Sequence, residues 1–413
     1  MSIFDTSKCM KKLRLSFLII LLFAFTLYYY NVKKEIKRKK LKSSSALKHL
    51  RAATIASVKN STLPTYKFKY ADFIVHNMTH NLPSRLKDDV FNHFDIDKCL
   101  ISKILHQTWK KNKVEEIYKN YIMSWLEKNQ DWSYSFTTNE LNRIFMETKF
   151  PEFLEMFDNY KSEIQRADAV RYFLLYEYGG IYADIDFEAL KSMNTFLDEN
   201  IHSSDGTGIK NGCIVGQEPF EHAHILYNKK RLICNAIMMS CPKHPFWLIV
   251  FQELMLRKNI KTVRATGPKM LSAALNKYEE LLKHSNNGVG NYLTLPSVYV
   301  PSPYLFYPNF DDANSNHRKN CRNEYRNASI NRAIACEKLE STNYQNDPKR
   351  RESAVAIHHW AHTWHRPNMD GYGKLYSIDD ICNDKAVAWT KANDVDGRVG
   401  SRRVNLLKKI SRN

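Results

Sequence analysis

Hydrophobic positions in this chain follow three patterns. The first is a continuous run: residues 15–30 are uncharged and almost wholly apolar, and a helix of that length spans about 24 Å. That reach suits the thinner membranes of the early secretory pathway. No small-x-small cleavage site follows, and Lys33 and Lys34 come directly after, so an uncleaved transmembrane signal-anchor is expected over 15–32, behind a cytosolic tail of residues 1–14. The second pattern is helical: Ala167, Val170, Leu174, Leu175 and Tyr178 recur at helical intervals, behind a Ser162 and Gln165 pair with capping-box spacing. Gly179 and Gly180 then stop the helix, because glycine accepts the left-handed conformation that helix ends need. The third is a short β-prone run, Ile181, Tyr182, Ala183 and Ile185, which carries Asp184 and Asp186 near its C-terminal end.

Elsewhere the periodicity fades. Residues 33–98 are basic and serine-bearing with scattered aromatics, and read as a stem. Residues 373–413 read as a basic C-terminal tail, which leaves 99–372 as the main folded domain. No internal repeat is present.

The chain has 413 residues, 43% hydrophobic and 12% aromatic, enough to bury a large core. Its formal charge of +19 points to a nucleic acid or an anionic surface only if it covers the folded body. It does not: residues 1–50 hold twelve Lys and Arg against Asp5 and Glu35, and residues 397–413 hold six with no acid. The middle of the chain is near neutral, which argues against a nucleic-acid partner. None of the eight cysteines forms a CxxC pair, so thiolate metal chemistry is not expected. If Cys9 is cytosolic, seven remain for an oxidising lumen, where Cys321 and Cys336 are the closest pair in their polar stretch that could bridge a loop.

Charge alone leaves the orientation open. Lys8, Lys11, Lys12 and Arg14 precede the apolar run, while a denser basic stretch follows it over 33–42, mildly favouring a cytosolic C-terminus. The sequons at Asn60, Asn77 and Asn327 weigh slightly the other way.

The chemistry concentrates at 159–190. Residues two apart on a strand face one side, and ligands gather at the carboxyl ends of strands in α/β sheets, so Asp184 and Asp186 are expected to reach one ion. Hard carboxylate oxygens suit Mg²⁺ or Mn²⁺, which commonly take few protein ligands and complete their shell with substrate phosphate. Such an ion acts as a Lewis acid on a departing diphosphate. A pair of aspartates two apart also marks many solvated turns. Asp168 and Arg171, three apart on the helix, share a face. They read either as a surface ion pair or as sugar-binding groups, Asp168 accepting from hydroxyls and Arg171 donating to sugar or phosphate. Helix face, double-glycine stop and carboxylate strand together are far more specific than any one of them.

The run Arg166-Ala167-Asp168-Ala169-Val170-Arg171-Tyr172-Phe173, followed by Tyr178-Gly179-Gly180-Ile181-Tyr182-Ala183-Asp184-Ile185-Asp186, resembles the DXD sugar-binding signature of glycosyltransferase family 32. Together with Phe157-Asp158-Asn159-Tyr160-Lys161 it is most similar to the mannosyltransferases that modify inositol phosphoceramide. Lys103-Ile104-Leu105-His106-Gln107-Thr108-Trp109 resembles the family's first strand and nucleotide-side loop, with Ser102 where proline is usual. Trp132 to Asn139 resembles its second strand, with Asn139 where an Asp is common. Ala265-Thr266-Gly267-Pro268 resembles a loop opening a helix, and Ile357-His358-His359-Trp360-Ala361-His362-Thr363-Trp364 resembles the C-terminal block that returns to the metal.

The resemblance covers residues 99–365 and implies a GT-A-type nucleotide-sugar-binding fold, α/β in class, acting with retention in the lumen of the Golgi or ER. Its implied donor contacts are His106, Trp109, Asp168, Arg171, Tyr182, Asp184 and Trp364, with Asp168, Arg171 and Asp186 at the reacting centre. The implied metal ligands are Asp184, Asp186 and one histidine. His358 and His359 point opposite ways on a strand, and the pattern favours His358. Asp168 and Glu188 are conceivable nucleophiles, although same-face attack assisted by the leaving phosphate needs neither. The implied donor is GDP-mannose and the acceptor a glycolipid or glycan. UDP-galactose or UDP-N-acetylglucosamine is the alternative donor, and a non-catalytic glycan-binding membrane protein is the alternative from another class.

Overall fold

The computed structural model describes residues 75–200, 212–260, 264–286, 295–311, 316–322, 329–341, 347–361 and 374–382. The expected cytosolic tail, the 15–32 anchor, most of the stem, Trp364 and the sequons at Asn60 and Asn327 lie outside these residues. Among the described residues no helix is long and apolar enough to cross a membrane.

The described residues form nine strands arranged in three sheets. They are β1 (Ile104–Trp109), β2 (Lys113–Glu115), β3 (Ser133–Thr138), β4 (Gly180–Ala183), β5 (Phe187–Ala189), β6 (Cys213–Gln217), β7 (Ile233–Ser240), β8 (Ala356–His358) and β9 (Leu375–Ser377). The main sheet runs β3-β1-β4-β7-β6, and two small ladders pair β2 with β9 and β5 with β8. β1 pairs parallel with both β3 and β4, whereas β7 is antiparallel to β4 and β6. The result is a mixed α/β architecture. Helices satisfy the need of parallel neighbours for long crossovers: α2 (Glu116–Lys128) lies between β1 and β3, and α3 (Glu163–Tyr178) feeds β4. All eight residues of β7 are buried, as expected for a strand covered on both faces.

The segment read as stem is folded at its C-terminal part. A helix over Ser84–Phe91, α1, buries Leu86 and Val90, and its Asp89 accepts from Tyr176 of α3 at 3.2 Å. Helix α3 is buried continuously from Asp168 to Tyr176, so it forms the interior of the domain. Phe173 lies flat on Phe251 of α4 (Phe246–Arg257), with centroids 4.3 Å apart. Helix α5 (Pro268–Asn286) opens at the Thr266-Gly267-Pro268 loop, with proline at its first position.

Two expectations about α3 meet different outcomes. Gly179 and Gly180 end it with φ of 64° and 90°, the left-handed region where a Cβ is disfavoured. Ser162 is the N-cap residue, but its side chain makes no capping bond. Its hydroxyl turns to Gln165 Oε1 at 3.2 Å, while Gln165 Nε2 donates to the Ile260 carbonyl. The Gln165 carboxamide thus links the Ser162 hydroxyl to the Ile260 carbonyl instead of closing a capping box.

Two disulfides are present among the described residues. Cys321–Cys336 is the pair read from spacing, whereas Cys99–Cys241 closes a separation of 142 residues that spacing could not reveal. Cys213 and Cys234 are buried free thiols.

Candidate active site

The strand expected to carry both aspartates ends one residue early. β4 stops at Ala183, and the Phe187 amide donates to the Asp184 carbonyl at 3.1 Å, closing a turn over 184–187 before β5 begins. The carboxylates therefore converge through the curvature of a turn rather than through strand alternation. The Asp184 amide anchors this turn to the Ala236 carbonyl of β7 at 2.8 Å.

His358 completes the group from β8, where it is register partner of Phe187. One ligand atom each from Asp184, Asp186 and His358 lies within 4.8 Å of the others. His358 Nε2 is 3.2 Å from Asp186 Oδ1. The Asp184 side chain is 28% exposed and is the open side of the cluster. Two hard oxygens and one imidazole nitrogen, with an open flank, suit a divalent cation that keeps part of its shell for substrate oxygens. Burial raises the Asp186 carboxyl, but the adjacent His358 ring and the Ala361 amide outweigh it and bring the group to about 2. That amide, 3.0 Å from Asp186 Oδ2, is aimed by Trp360, whose φ is 51°.

Arg171 organises the other half of the site. It is 3% exposed, its Nη1 is 3.0 Å from Asp184 Oδ1, and its Nη2 is 3.1 Å from Asp168 Oδ1. Nη1 also donates to the Asn235 carbonyl at 2.8 Å, and the guanidinium lies 4.6 Å over the Tyr182 ring. Burial works against the charge, but Asp184, Tyr182 and Asp168 raise the guanidinium well above its usual value. The alternative of a solvent-exposed Asp168–Arg171 pair is thus overturned. Asp168 is held as well: Asn235 Nδ2 donates to Oδ1 at 2.8 Å and Thr266 Oγ1 to Oδ2 at 3.0 Å. Burial still raises its carboxyl, with Arg171, Asn235 and Thr266 opposing.

The remaining implied contacts divide. Tyr182 is fully buried and donates to Asp184 Oδ1 at 2.8 Å. Trp109 ends β1 half-buried, 5.1 Å from the Tyr118 ring. His106 is 1% exposed inside the sheet, and its Nε2 lies 3.0 Å from the Gly179 carbonyl. It braces the glycine stop rather than lining the open flank. His359 turns away from His358 to Glu188 Oε2 at 3.0 Å.

Asn235 and Thr266 are central to the site and were not singled out for it from the sequence. Asn235 had a readable signal, being the lone amide in the apolar run from Ile233 to Met239. Thr266 stood in a recognised helix-opening loop whose capping role hid its contact with Asp168.

Residues 115–202 match the family model described as a glycosyltransferase sugar-binding region containing the DXD motif. The chain is 31% identical over 228 residues to inositol phosphoceramide mannosyltransferase 3 of Schizosaccharomyces pombe, covering 53% of this chain and 58% of that protein. It is 29% identical over 236 residues to inositol phosphoceramide mannosyltransferase 2 of the same organism, covering 53% and 60%. It is also 29% identical over 197 residues to mannosyl phosphorylinositol ceramide synthase CSH1 of Saccharomyces cerevisiae, covering 46% of each. The chain thus spans about three fifths of the length of the first two relatives. A solved structure titled PaToxG Glycosyltransferase is matched at a TM-score of 0.31 and 16% identity, covering 53% of this chain and 81% of that one, a likeness too slight to carry weight. Residues 115–202 therefore carry the sugar-binding region of the DXD-containing glycosyltransferases, and the chain is similar in sequence to inositol phosphoceramide mannosyltransferases.

Proposed function

We propose that this chain is a retaining hexosyltransferase of GT-A type, which moves mannose from GDP-mannose onto a glycolipid such as an inositol phosphoceramide. Residues 15–32 anchor it in a Golgi or ER membrane, with the catalytic domain lumenal. The observation that carries this reading is the convergence of Asp184, Asp186 and His358 within 4.8 Å, with Arg171 bridging Asp168 and Asp184. Their similarity to a sugar-diphosphate site lies in the donor set and in the fixed cation beside it.

Asp184, Asp186 and His358 would hold Mn²⁺ or Mg²⁺, which when bound would supply Lewis-acid stabilisation of the departing diphosphate. Arg171 adds a positive charge that is already oriented and already desolvated, so little reorganisation is needed as phosphate charge develops. Asp168 presents carboxylate oxygens to hydroxyls of the transferred sugar. Its oxygens already accept from Asn235 and Thr266 and face Arg171. This makes it a poor nucleophile and favours same-face attack, in which the leaving phosphate takes the acceptor proton.

The test is donor hydrolysis and transfer by the full-length protein in detergent with Mn²⁺, across GDP-mannose, UDP-galactose, UDP-glucose and UDP-N-acetylglucosamine. GDP-mannose is expected to turn over, chelation to abolish turnover and Mn²⁺ to restore it. Asp186→Asn is expected to lower turnover about a hundredfold or more, since each lost interaction of several kcal/mol at the transition state counts tenfold per 1.4 kcal/mol. Turnover of a UDP-sugar instead would reassign the donor. A folded protein that binds and turns over none of them would favour the glycan-binding alternative.

A further inference from the structure

A second polar group grows from the same two short strands that carry Asp186 and His358. Glu188 of β5 receives His359 Nε2 at 3.0 Å, and both side chains are about one-third exposed. The other carboxylate oxygen, Oε1, has no partner among the described residues. His359 lies flat on Tyr121 of α2, with ring centroids 4.2 Å apart and planes within 7°. Tyr121 meets Tyr118 edge-on at 6.4 Å, and Tyr118 lies 5.1 Å from Trp109 at the carboxyl end of β1. A row of rings thus leads from the end of the first strand to a carboxylate with one free oxygen.

In the β5–β8 ladder Phe187 opposes His358 and Glu188 opposes Ile357, so Glu188 and His359 share the face turned away from His358. The ladder is only three residues long, and its end is at the cation cluster, where the His359 amide donates to the Asp186 carbonyl at 3.0 Å. The two groups are consequently neighbours on opposite flanks of one turn. Burial, then the charges of Glu188 and Asp186, raise the Tyr121 phenol, as its place beside both carboxylates requires. Read in order, the site runs from Asp168 and Arg171 through Asp184, Asp186 and His358 to Glu188, His359 and Tyr121, and ends at Trp109.

With the hexose at Asp168 and Arg171 and the diphosphate at the cation cluster, the flank left for the nucleoside is the one that ends at Trp109. We propose that Glu188 binds the vicinal hydroxyls of the donor's ribose, with His359 as its positioning residue and the His359–Tyr121 stack as the floor beneath the sugar. This rests on the nucleotide-sugar reading above. An ionised carboxylate only accepts hydrogen bonds, whereas a cis-diol offers two donors. The same pairing of an acidic side chain with a ribose hydroxyl serves dinucleotide sites on other α/β sheets. His359 occupies Oε2 and fixes the carboxylate plane, leaving Oε1 for the diol.

The experiment measures binding of GDP, 2′-deoxy-GDP and 3′-deoxy-GDP, and of the corresponding uridine diphosphates, to the full-length protein in detergent with Mn²⁺. Wild type is expected to bind at least one deoxy analogue about tenfold or more weakly than its ribonucleotide, the usual scale for a hydrogen bond to a charged group. In Glu188→Gln, which keeps size and removes charge, that discrimination is expected to fall to within about threefold while binding of inorganic pyrophosphate with Mn²⁺ is unchanged. His359→Phe keeps the stack and removes the Nε2 hydrogen bond, and is expected to give an intermediate ratio. Equal binding of ribo- and deoxynucleotides by wild type, or full discrimination retained in Glu188→Gln, overturns the assignment of Glu188 and leaves the nucleotide-sugar reading intact. Failure of folded wild type to bind either ribonucleoside diphosphate overturns both.

Discussion

Arg171 is the residue on which the site turns, because one buried cation answers two carboxylates, Asp168 buried and Asp184 on the open side of the cluster. Removing it strands Asp168 and Asp184 together. Arg171→Met is expected to destabilise the fold by about 3–5 kcal/mol, the range for breaking a buried pair from one side, measured by urea unfolding. Arg171→Lys keeps the charge but loses the planar fork that reaches Asp168, Asp184 and the Asn235 carbonyl together. Its donor turnover is expected to fall at least about tenfold with much smaller loss of stability. His106 carries a different prediction. Burial lowers its imidazole to about 4, and its Nδ1 has no partner among the described residues. The unfolded chain takes up this proton near pH 6.5, so the contribution of His106 is complete above that pH. It declines as pH falls from 6.5 towards 4, by up to about 3 kcal/mol. Thermal unfolding measured from pH 7.5 to 4.5 is expected to show this slope reduced in His106→Gln.

Between residue and molecule, the element that matters most is the α3–β4–turn segment. A Cβ on Gly180 meets the Ile104 carbonyl of the neighbouring strand, and φ there is 90°. Gly180→Ala is expected to destabilise by more than about 1 kcal/mol, seen as a lowered midpoint in thermal unfolding, and to reduce Mn²⁺-dependent donor binding by shifting the turn. Much of this segment was legible in the sequence, since helix period, glycine stop and β-prone run are all local signals. The turn over 184–187 was not, because the Phe187 amide closes on the Asp184 carbonyl where the chain leaves β7 and β5 takes up its pairing with β8, a strand far along the sequence. The same reason hid Asn235 and Thr266, whose partners are on α3, and diverted Ser162 and Gln165 from capping. Strand alternation allowed only one of His358 and His359 to face the aspartates and the family pattern favoured His358; the ladder with β5 is what separates their directions. Local chemistry could be read from spacing; long-range acceptors could not.

At the scale of the whole molecule, Cys99–Cys241 ties the chain just ahead of β1 to the chain just after β7. Chain-entropy arguments for a loop of that length give a contribution of up to about 5 kcal/mol. Cys99→Ala with Cys241→Ala is therefore expected to lower the thermal midpoint by several degrees, and wild type in reductant to fall towards the same value. The bridge also bears on the order in which a nascent chain matures. All five strands of the main sheet and both half-cystines precede residue 242, whereas His358 is made much later. Oxidation can lock the sheet while the last cation ligand is still unsynthesised. The later events of folding then include the docking of β8 beside β5, which brings His358, and of β9 beside β2. A ribosome that stops short of that point would release a chain with every strand of the main sheet and the two aspartates of the cluster, but without its histidine.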